Sequence, residues 1–433
     1  MNILYDHLKV NEKGHLTVGG MDAVELAERF GTPAYVLDEN VIRENCRIYK
    51  KAATEAFGAD ALPLYASKAL CCREIYRIMA EEGMGIDCVS GGELYTARSV
   101  GFPAERIYFH GNNKTDRDLA DALDMGVGTI VVDNRDELQA LSAEASNRGV
   151  TQRILLRITP GIDAHTHKAV VTGNVDSKFG NAIATGQAMT IVRDALNAPG
   201  IFLAGLHCHV GSQIFDIEPF TQAADIMIRF IAEVRRVLGY ELKELNLGGG
   251  LGVRYTENDP EIDYDASIRR IAAVITEFCE KGGYPMPRII LEPGRSLVAA
   301  AGVTLYTVGS VKEIVGFKNY VSVDGGMPDN PRYALYQSRY TALIANRAGA
   351  PKDYRATLAG RCCESGDLLG ENMELQKTRR GDVLAVLVTG AYNYSMASNY
   401  NRIPRPPVIM LRDGEARVAV RRESYEDLTR NDL

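Results

Sequence analysis

The sequence predicts an α/β barrel of eight strand–helix units followed by an all-β domain, and three observations carry that prediction. Short apolar runs bounded by turn residues recur between stretches of helical period, and eight such runs fall within residues 62–292. The chain has 433 residues, which is more than one hydrophobic core usually supports. After Glu292 the sequence becomes rich in Val, Thr and Tyr with little helical period, which is typical of β-sheet.

The eight apolar runs are the predicted barrel strands, and each of the first seven precedes a plausible helix. They are LPLYA (62–66), GIDCV (85–89), RIYFH (106–110), TIVVD (129–133), RILLRI (153–158), IFLAGLHCH (201–209), ELNLG (244–248) and RIILE (288–292). Several helical stretches end in Gly, as helices commonly do. An open doubly wound sheet is the competing architecture, but eight regular units over about 230 residues fit closure into a TIM barrel better.

These patterns divide the chain into two expected domains. We expect the barrel at 39–295 and a β-rich barrel or sandwich at 296–433, to which 1–38 adds strands through LTVGG and TPAYVLDE. The longest stretch without recognisable structure, 160–180, follows the fifth strand and is interpreted as a functional loop.

Composition and charge exclude several classes of function. Hydrophobic residues make up 46% of the chain and charged residues 24%, as in ordinary globular proteins. The formal charge of −7 and the lack of a Lys/Arg run argue against nucleic-acid binding. No signal peptide or membrane-span pattern is recognisable, so we expect a cytoplasmic protein. None of the eight cysteines forms a CxxC pair, so a zinc site of the usual spacing is not expected.

Chemically informative residues follow the predicted strands, and the carboxyl ends of the strands are where barrel enzymes place their active sites. Lys68 follows the first strand, and Asp87 lies near the end of the second. Either one alone would more often be structural than catalytic. In LHCHVGSQ, alternation places His207 and His209 on the same face.

A metal site is one interpretation of the two histidines, but we see no third ligand at a suitable spacing and therefore predict none. A histidine ring followed by Gly-Ser suits a flat ligand ring that bears a phosphate, to which Ser212 would donate a hydrogen bond. The bare amides of Gly248, Gly249 and Gly250 suit an anion, although a plain tight turn is an equal alternative. Glu292 is suited to bond a pyridine nitrogen and keep it protonated, which makes the ring an electron sink.

Together these motifs resemble the fold-type III pyridoxal-phosphate enzymes, and most closely the diaminopimelate decarboxylase family. The resemblance extends from MNILYDHLKVNEKGHLTVGG through DGGMPDNPRYALY, RCCESGD and VTGAYNYSMASNYN to RRESYEDLTRND, which is essentially the whole chain. YASKA around Lys68 is shared with sister decarboxylases, so it indicates the fold rather than the substrate. The resemblance implies pyridoxal 5'-phosphate as cofactor and decarboxylation of meso-2,6-diaminopimelate to L-lysine, the last step of lysine biosynthesis.

The resemblance also implies residue roles. Lys68 would carry the cofactor covalently, and Cys363 would donate the proton that replaces carbon dioxide, although the adjacent Cys362 departs from the residue usual there. The implied cofactor contacts are Lys68, Asp87, His209, Ser212, Gly248, Gly249, Gly250, Glu292, Gly294, Arg295 and Tyr392. The implied substrate contacts are Arg295, Arg332, Tyr336, Glu364 and Tyr392. A homodimer is implied, with Cys363 and Glu364 reaching into the partner's site.

Charge matching supports the substrate independently of the resemblance. Diaminopimelate carries a second carboxylate and a second ammonium at its far end. Arg295 and Arg332 are suited to bind that carboxylate in bidentate fashion, and Glu364 to bind the ammonium. Three alternatives stay open: a decarboxylase of ornithine, arginine or carboxynorspermidine, an amino-acid racemase of the same fold, and a non-catalytic carrier of the cofactor.

Overall fold

The computed structural model describes residues 3–162 and 177–433, and the chain divides into two compact units. One unit contains Asn45–Gly252 and Ile262–Gly294, and the other contains Met1–Glu44, Val253–Glu261 and Arg295–Leu433. Most of the predicted functional loop, residues 163–176, lies outside the described residues. Among the helices that the structure describes, none is both long and apolar enough to cross a bilayer.

The amino-terminal segment contributes four strands and two helices. They are β1 (Leu8–Val10), β2 (Leu16–Val18), β3 (Met21–Asp22), α1 (Ala23–Phe30), β4 (Ala34–Asp38) and α2 (Glu39–Phe57). Strands β1, β2 and β3 form a small antiparallel sheet. The Asp22 carboxylate accepts the Val24 N–H and caps α1, which explains why that helix begins where it does.

The barrel strands are parallel and separated by helices. The strands are β5 (Leu62–Ala66), β6 (Gly85–Cys88), β7 (Ile107–Phe109), β8 (Thr129–Val132), β9 (Gln152–Thr159), β10 (Asn181–Ala182), β11 (Ile201–His207), β12 (Glu244–Asn246) and β13 (Arg288–Leu291). The helices are α3 (Arg73–Glu81), α4 (Gly91–Arg98), α5 (Asp116–Met125), α6 (Arg135–Asn147), α7 (Gln187–Asn197), α8 (Glu218–Leu238) and α9 (Tyr264–Gly282).

Strand pairing closes the barrel. The order runs β9-β11-β12-β13-β5-β6-β7-β8, and β8 pairs in parallel with β9, so the sheet has no open edge among these eight strands. A layer of fully buried side chains fills the interior: Leu64, Tyr108, Val131, Leu155, Ala204 and Ile290. The closure confirms the predicted barrel and excludes the open doubly wound sheet.

The second unit is dominated by one mixed sheet. Its further elements are α10 (Arg295–Val298), β14 (Gly302–Glu313), β15 (Asn319–Val323), α11 (Arg332–Tyr336), β16 (Ala342–Ile344), β17 (Tyr354–Ala359), β18 (Leu368–Leu375), β19 (Val383–Leu387), β20 (Val408–Arg412), β21 (Glu415–Val420) and α12 (Tyr425–Thr429). Strand β4 lies between β14 and β20 in this sheet, which confirms that the amino-terminal segment joins the β-rich part of the chain.

The eight predicted barrel strands all exist, and the differences lie at their ends. His110, His209 and Glu292, which the apolar runs included, come after the last paired residue of their strands. Their polar side chains belong to the rim of the barrel rather than to its sheet. The short strand β10, which pairs with the end of β9, was not predicted because two residues are too few to show alternation.

Candidate active site

The residues that follow the barrel strands meet at the carboxyl-end rim of the barrel. Lys68 lies in a single 3-10 turn, Ser67–Ala69, directly after β5, and its side chain is exposed. Asp87 lies near the end of the neighbouring strand β6 and is 2% exposed. Its Oδ1 has no hydrogen-bond partner in the described part of the chain. A buried carboxylate oxygen without a partner indicates a place for a ligand.

Glu292 is the centre of the polar rim. The Asn246 side-chain amide donates to Glu292 Oε1 at 2.6 Å, and His207 Nε2 lies 3.3 Å from Oε2. His110 Nε2 lies 2.9 Å from Oε1 and 3.9 Å from Oδ1 of Asp87. Asn246, His207 and His110, the three neighbours of the Glu292 carboxylate, are all buried, so water does not screen these interactions.

Burial and charge shift the pKa values of Asp87 and Glu292 in opposite directions. Burial raises the pKa of Asp87, and the negative charge of Glu292 adds to that shift. Burial alone would also raise the pKa of Glu292, but its interactions with His110 and His207 hold that pKa well below its ordinary value. Burial lowers the pKa of His207 to about 4, so a neutral imidazole donates to an ionised Glu292. Glu292 is therefore a fixed negative charge at the rim.

The fold gives His207 neighbours that the sequence spacing did not show. His110, His207 and Glu292 bring potential ligating atoms within 4.8 Å of one another. Spacing along the chain could not show this set, since its members end three different strands. His209, which alternation paired with His207, is not part of it. Burial and the charge of Lys68 lower the pKa of His209 well below its usual value, which leaves a neutral ring.

Glycines form a cradle that no side chain could enter. A Cβ on Gly249 would lie 2.0 Å from the carbonyl oxygen of Glu292, and one on Gly250 would lie 2.3 Å from that of Gly211, next to Ser212. A Cβ on Gly248 would meet the His209 ring at 2.9 Å, and one on Gly294 would meet Ala66 at 2.9 Å. Gly248, Gly249 and Gly250 therefore pack directly against His209, Glu292 and Gly211, and Gly211 is the residue before Ser212.

In the second unit, two arginines lie near the ring of Tyr392. The guanidinium carbons of Arg295 and Arg332 are 4.7 Å and 5.4 Å from the ring centre of Tyr392. Arg332 also lies 5.2 Å from the ring centre of Tyr336, and Arg295 donates to the hydroxyl of Tyr255 at 2.7 Å. Both arginines are buried, at 6% and 8% exposure. Four of the predicted substrate residues thus form one cluster.

Cys363 and Glu364 lie on an exposed loop of the same unit and have other neighbours. The Cys363 N–H donates to the side-chain oxygen of Asn401 at 2.8 Å, and Glu364 Oε1 accepts the Gly366 N–H at 3.1 Å. No hydrogen bond of the described chain joins either side chain to the two arginines. Burial, followed by the charge of Asp367, raises the pKa of the neighbouring Cys362 thiol to about 12, so that thiol stays protonated at neutral pH.

Several polar residues of these clusters were missed by sequence reasoning. Asn246 and Arg157 lie inside the apolar runs ELNLG and RILLRI, where a polar residue in a buried strand was a usable signal. Arg157 is largely buried, lies 4.2 Å from the ring centre of Phe179, and its charge acts on both Asp87 and Glu292. Tyr255 had no local signal, because its partner Arg295 is 40 residues away.

A buried Glu292 anion, close-packed bare glycines and an exposed lysine whose charge acts on Asp87 and His209 fit an aromatic ring that carries a basic nitrogen and a phosphate. The family described as pyridoxal-dependent decarboxylase, pyridoxal binding domain, matches residues 40–299. The class is therefore that of the pyridoxal-phosphate-dependent decarboxylases, and pyridoxal phosphate is the cofactor.

Full-length comparisons narrow the class. The chain is 48% identical to a diaminopimelate decarboxylase of Bacillus subtilis (strain 168) over 430 residues, which cover 99% of this chain and 98% of the relative. A crystal structure of diaminopimelate decarboxylase from M. jannaschii in complex with L-lysine is 35% identical, with a TM-score of 0.92 and coverage of 99% and 98%. The chain belongs to the diaminopimelate decarboxylase family.

Proposed function

We propose that this chain catalyses the decarboxylation of meso-2,6-diaminopimelate to L-lysine and carbon dioxide, the last step of lysine biosynthesis. The observation that carries the proposal is the pair of buried guanidinium groups near Tyr392. The buried Nε of Arg332 has no hydrogen-bond partner among the residues that the structure describes, and a buried guanidinium atom in that state suits an anion from a ligand. A substrate with a carboxylate at each end supplies that anion, whereas ornithine and arginine have no second carboxylate.

Residues of the barrel rim would hold the cofactor. Lys68 would bind it covalently, Glu292 would pair with the ring nitrogen, and His209 would contact the ring. The phosphate would be held by Ser212, Gly248, Gly249, Gly250, Gly294 and Arg295, while Asp87 would orient the ring and Tyr392 would be a further contact. The bound cofactor supplies an electron sink for the charge left on the α-carbon when carbon dioxide departs. The low pKa of Glu292 supports its role, because an ionised carboxylate keeps a facing ring nitrogen protonated.

The remaining residues act on the substrate. Arg295 and Arg332 bind the carboxylate at the far end, Glu364 binds the far ammonium, and Tyr336 and Tyr392 contact the chain between. Cys363 then donates a proton to the α-carbon, which completes lysine. The exposure of Cys363 and Glu364 supports a homodimer in which the two residues reach the partner's active site. We further propose that the enzyme is cytoplasmic and that its cofactor-binding domain spans 39–295.

A substrate panel tests the activity. Carbon dioxide release and product are measured for meso-diaminopimelate, ornithine, arginine and carboxynorspermidine, and proton exchange without gas release is measured for a racemase. We expect turnover of diaminopimelate at least about a hundredfold above the others, because a substrate without the second carboxylate offers no anion to the buried Arg332 guanidinium. Turnover of ornithine in preference to diaminopimelate would refute the proposal.

A variant pair tests the arginine argument. We expect Arg332→Ala to raise KM for diaminopimelate and to lower kcat/KM by about a hundredfold, the effect of losing a bidentate ion pair. Arg355→Ala, which removes an arginine whose side chain is 67% exposed on β17, is the matched control and should change neither value. Equal activity in both variants would remove the distal-carboxylate assignment.

A further inference from the structure

One buried carboxylate joins two loops of the second unit. We call residues 360–367 the donor loop, since it carries Cys363, and residues 325–332 the arginine loop, since it ends at Arg332. Asp367 is 2% exposed, and its two oxygens face the two loops. Oδ1 accepts the Met327 N–H of the arginine loop at 2.6 Å, and Oδ2 accepts the Cys362 N–H of the donor loop at 2.7 Å.

Two glycines let the loops close around this carboxylate. A Cβ on Gly326 would lie 2.4 Å from Asp367 Oδ1, and one on Gly360 would lie 2.2 Å from Oδ2. The Arg361 N–H donates to the carbonyl of Gly325 at 2.9 Å, which adds a direct bond between the loops. The Asp367 carboxylate therefore packs closely against the backbone of both loops, which a side chain at either glycine would prevent.

The bonds of Asp367 end next to the functional residues. Cys362 precedes Cys363, whose own N–H is held by Asn401, so the backbone on each side of that thiol is anchored. In the arginine loop the carbonyl of Gly326 accepts the Asn330 N–H at 2.8 Å, and α11 then begins at Arg332. A carboxylate that served only a local turn would have no need of Met327, which is 40 residues away in the chain.

We propose that Asp367 is a positioning residue that sets the Cys363 thiol and the Arg332 guanidinium in a fixed relation. The inference rests on the proposed function of those two side chains. Asp367 itself touches neither substrate nor cofactor. Both oxygens of Asp367 accept backbone N–H groups. In an Asn at this position, the side-chain NH₂ would face one of these N–H donors, so the hydrogen bond to one of the two loops would be lost.

The ratio of lysine formed to carbon dioxide released measures whether the thiol is in place. When carbon dioxide leaves, the α-carbon keeps the bonding electrons, and a proton delivered there gives lysine. A proton delivered elsewhere on the conjugated system leads, after addition of water, to an aldehyde, while the amino group stays on the cofactor. Each such event releases carbon dioxide without lysine. A loss of folded enzyme lowers both products together and leaves the ratio at one.

For Asp367→Asn we expect the ratio to fall clearly below one and KM for diaminopimelate to rise about tenfold, because small displacements of positioning groups have effects of that size. Asp353→Asn, an exposed aspartate of the same unit, is the matched control and should keep the ratio and KM of the unaltered holoenzyme. A ratio of one with unchanged KM in Asp367→Asn would overturn the inference.

Hydrogen exchange on the holoenzyme tests the link without reference to activity. The amides of Met327 and Cys362 should be protected in the unaltered protein, and both should lose protection in Asp367→Asn. An unprotected Cys362 amide in the unaltered protein would overturn the inference even if the variant failed to fold. If the unaltered enzyme released no carbon dioxide from diaminopimelate, the proposed function would fail, and the exchange result would still decide whether Asp367 holds the two loops.

Discussion

Two buried glutamates stand at opposite ends of the same barrel, and their surroundings differ in kind. Glu244 begins β12 and is fully buried. The Tyr108 hydroxyl donates to it at 2.6 Å, and Arg153 and Arg288 form ion pairs with it. Glu292 follows the neighbouring strand β13 and faces two imidazoles and an amide instead.

The same strands build both ends. Tyr108 and His110 are two residues apart, as are Glu244 and Asn246, so each pair lies on one face of its strand. The first residue of each pair belongs to the cluster at the amino end, and the second belongs to the cluster at the carboxyl end. At the amino end, the carboxylate is matched by cations whose outer parts reach solvent. At the carboxyl end, Asp87 Oδ1 and His207 Nδ1 have no hydrogen-bond partner within the described residues. The difference indicates that the amino-end cluster stabilises the barrel, whereas the carboxyl-end cluster has polar atoms available to bind a ligand.

The sharpest way to break this comparison is Glu292→Gln. We expect kcat/KM to fall by about 10²–10³, since a neutral amide no longer stabilises a protonated ring nitrogen, while the free energy of unfolding changes by less than about 1 kcal/mol. Steady-state kinetics and urea-induced unfolding measure the two values, and the visible spectrum reports the bound cofactor. A variant with full activity would show that Glu292 does not face the ring nitrogen.

Acid should lower the free energy of unfolding through protonation of His207. Its pKa is about 4 in the folded chain and about 6.5 in an unfolded one, so the unfolded chain binds more protons between these values. Stability is therefore present above pH 6.5 and lost as the pH falls toward 4. His207→Gln keeps a donor for Glu292 but does not titrate, and we expect it to reduce the loss between pH 7 and pH 5 by about 2 kcal/mol. An identical pH profile in both proteins would contradict the shift.

The sequence predicted the strands better than it predicted the clusters, and the reason is physical. The signal that predicts a strand is local, because an apolar run and its flanking turn residues lie within about ten positions of the sequence. Lys68, Asp87 and Glu292 were found because each lies within or just after such a run. The neighbours of Glu292 depend instead on closure of β8 against β9 and on the register between strands, which bring His110 and His207 together across almost a hundred residues.

The second unit shows the same limit more strongly. Arg332 and Tyr392 were chosen by resemblance, but nothing local predicted that both arginines would lie near one tyrosine ring. Strand β4 also pairs with strands that are distant in the sequence, because all other strands of its sheet follow β13. The sequence predicted that TPAYVLDE adds a strand to the β-rich domain, but its pairing with β14 and β20 became visible only in the fold.

Glu244→Gln tests the amino end. We expect a loss of about 2 kcal/mol in the free energy of unfolding with kcat/KM within twofold of the unaltered enzyme, because the two arginines are partly exposed and lose only part of their pairing. The matched comparison is Glu292→Gln, which removes the same charge from the opposite end of the barrel. A loss of activity without a loss of stability would reverse the roles assigned to the two ends.

The smallest expected effect, that of Tyr108→Phe, asks which partner holds Glu244. The hydroxyl donates one hydrogen bond to a carboxylate that two arginines also engage, so its removal should cost about 1 kcal/mol of unfolding free energy and leave kcat/KM unchanged. The ring itself stays in the buried layer, so no cavity adds to the cost. If Tyr108→Phe destabilised the protein as much as Glu244→Gln does, the hydroxyl rather than the arginines would be the main partner. The amino end would then depend on a neutral donor, as Glu292 depends on Asn246, and the two ends would differ only in their unsatisfied atoms.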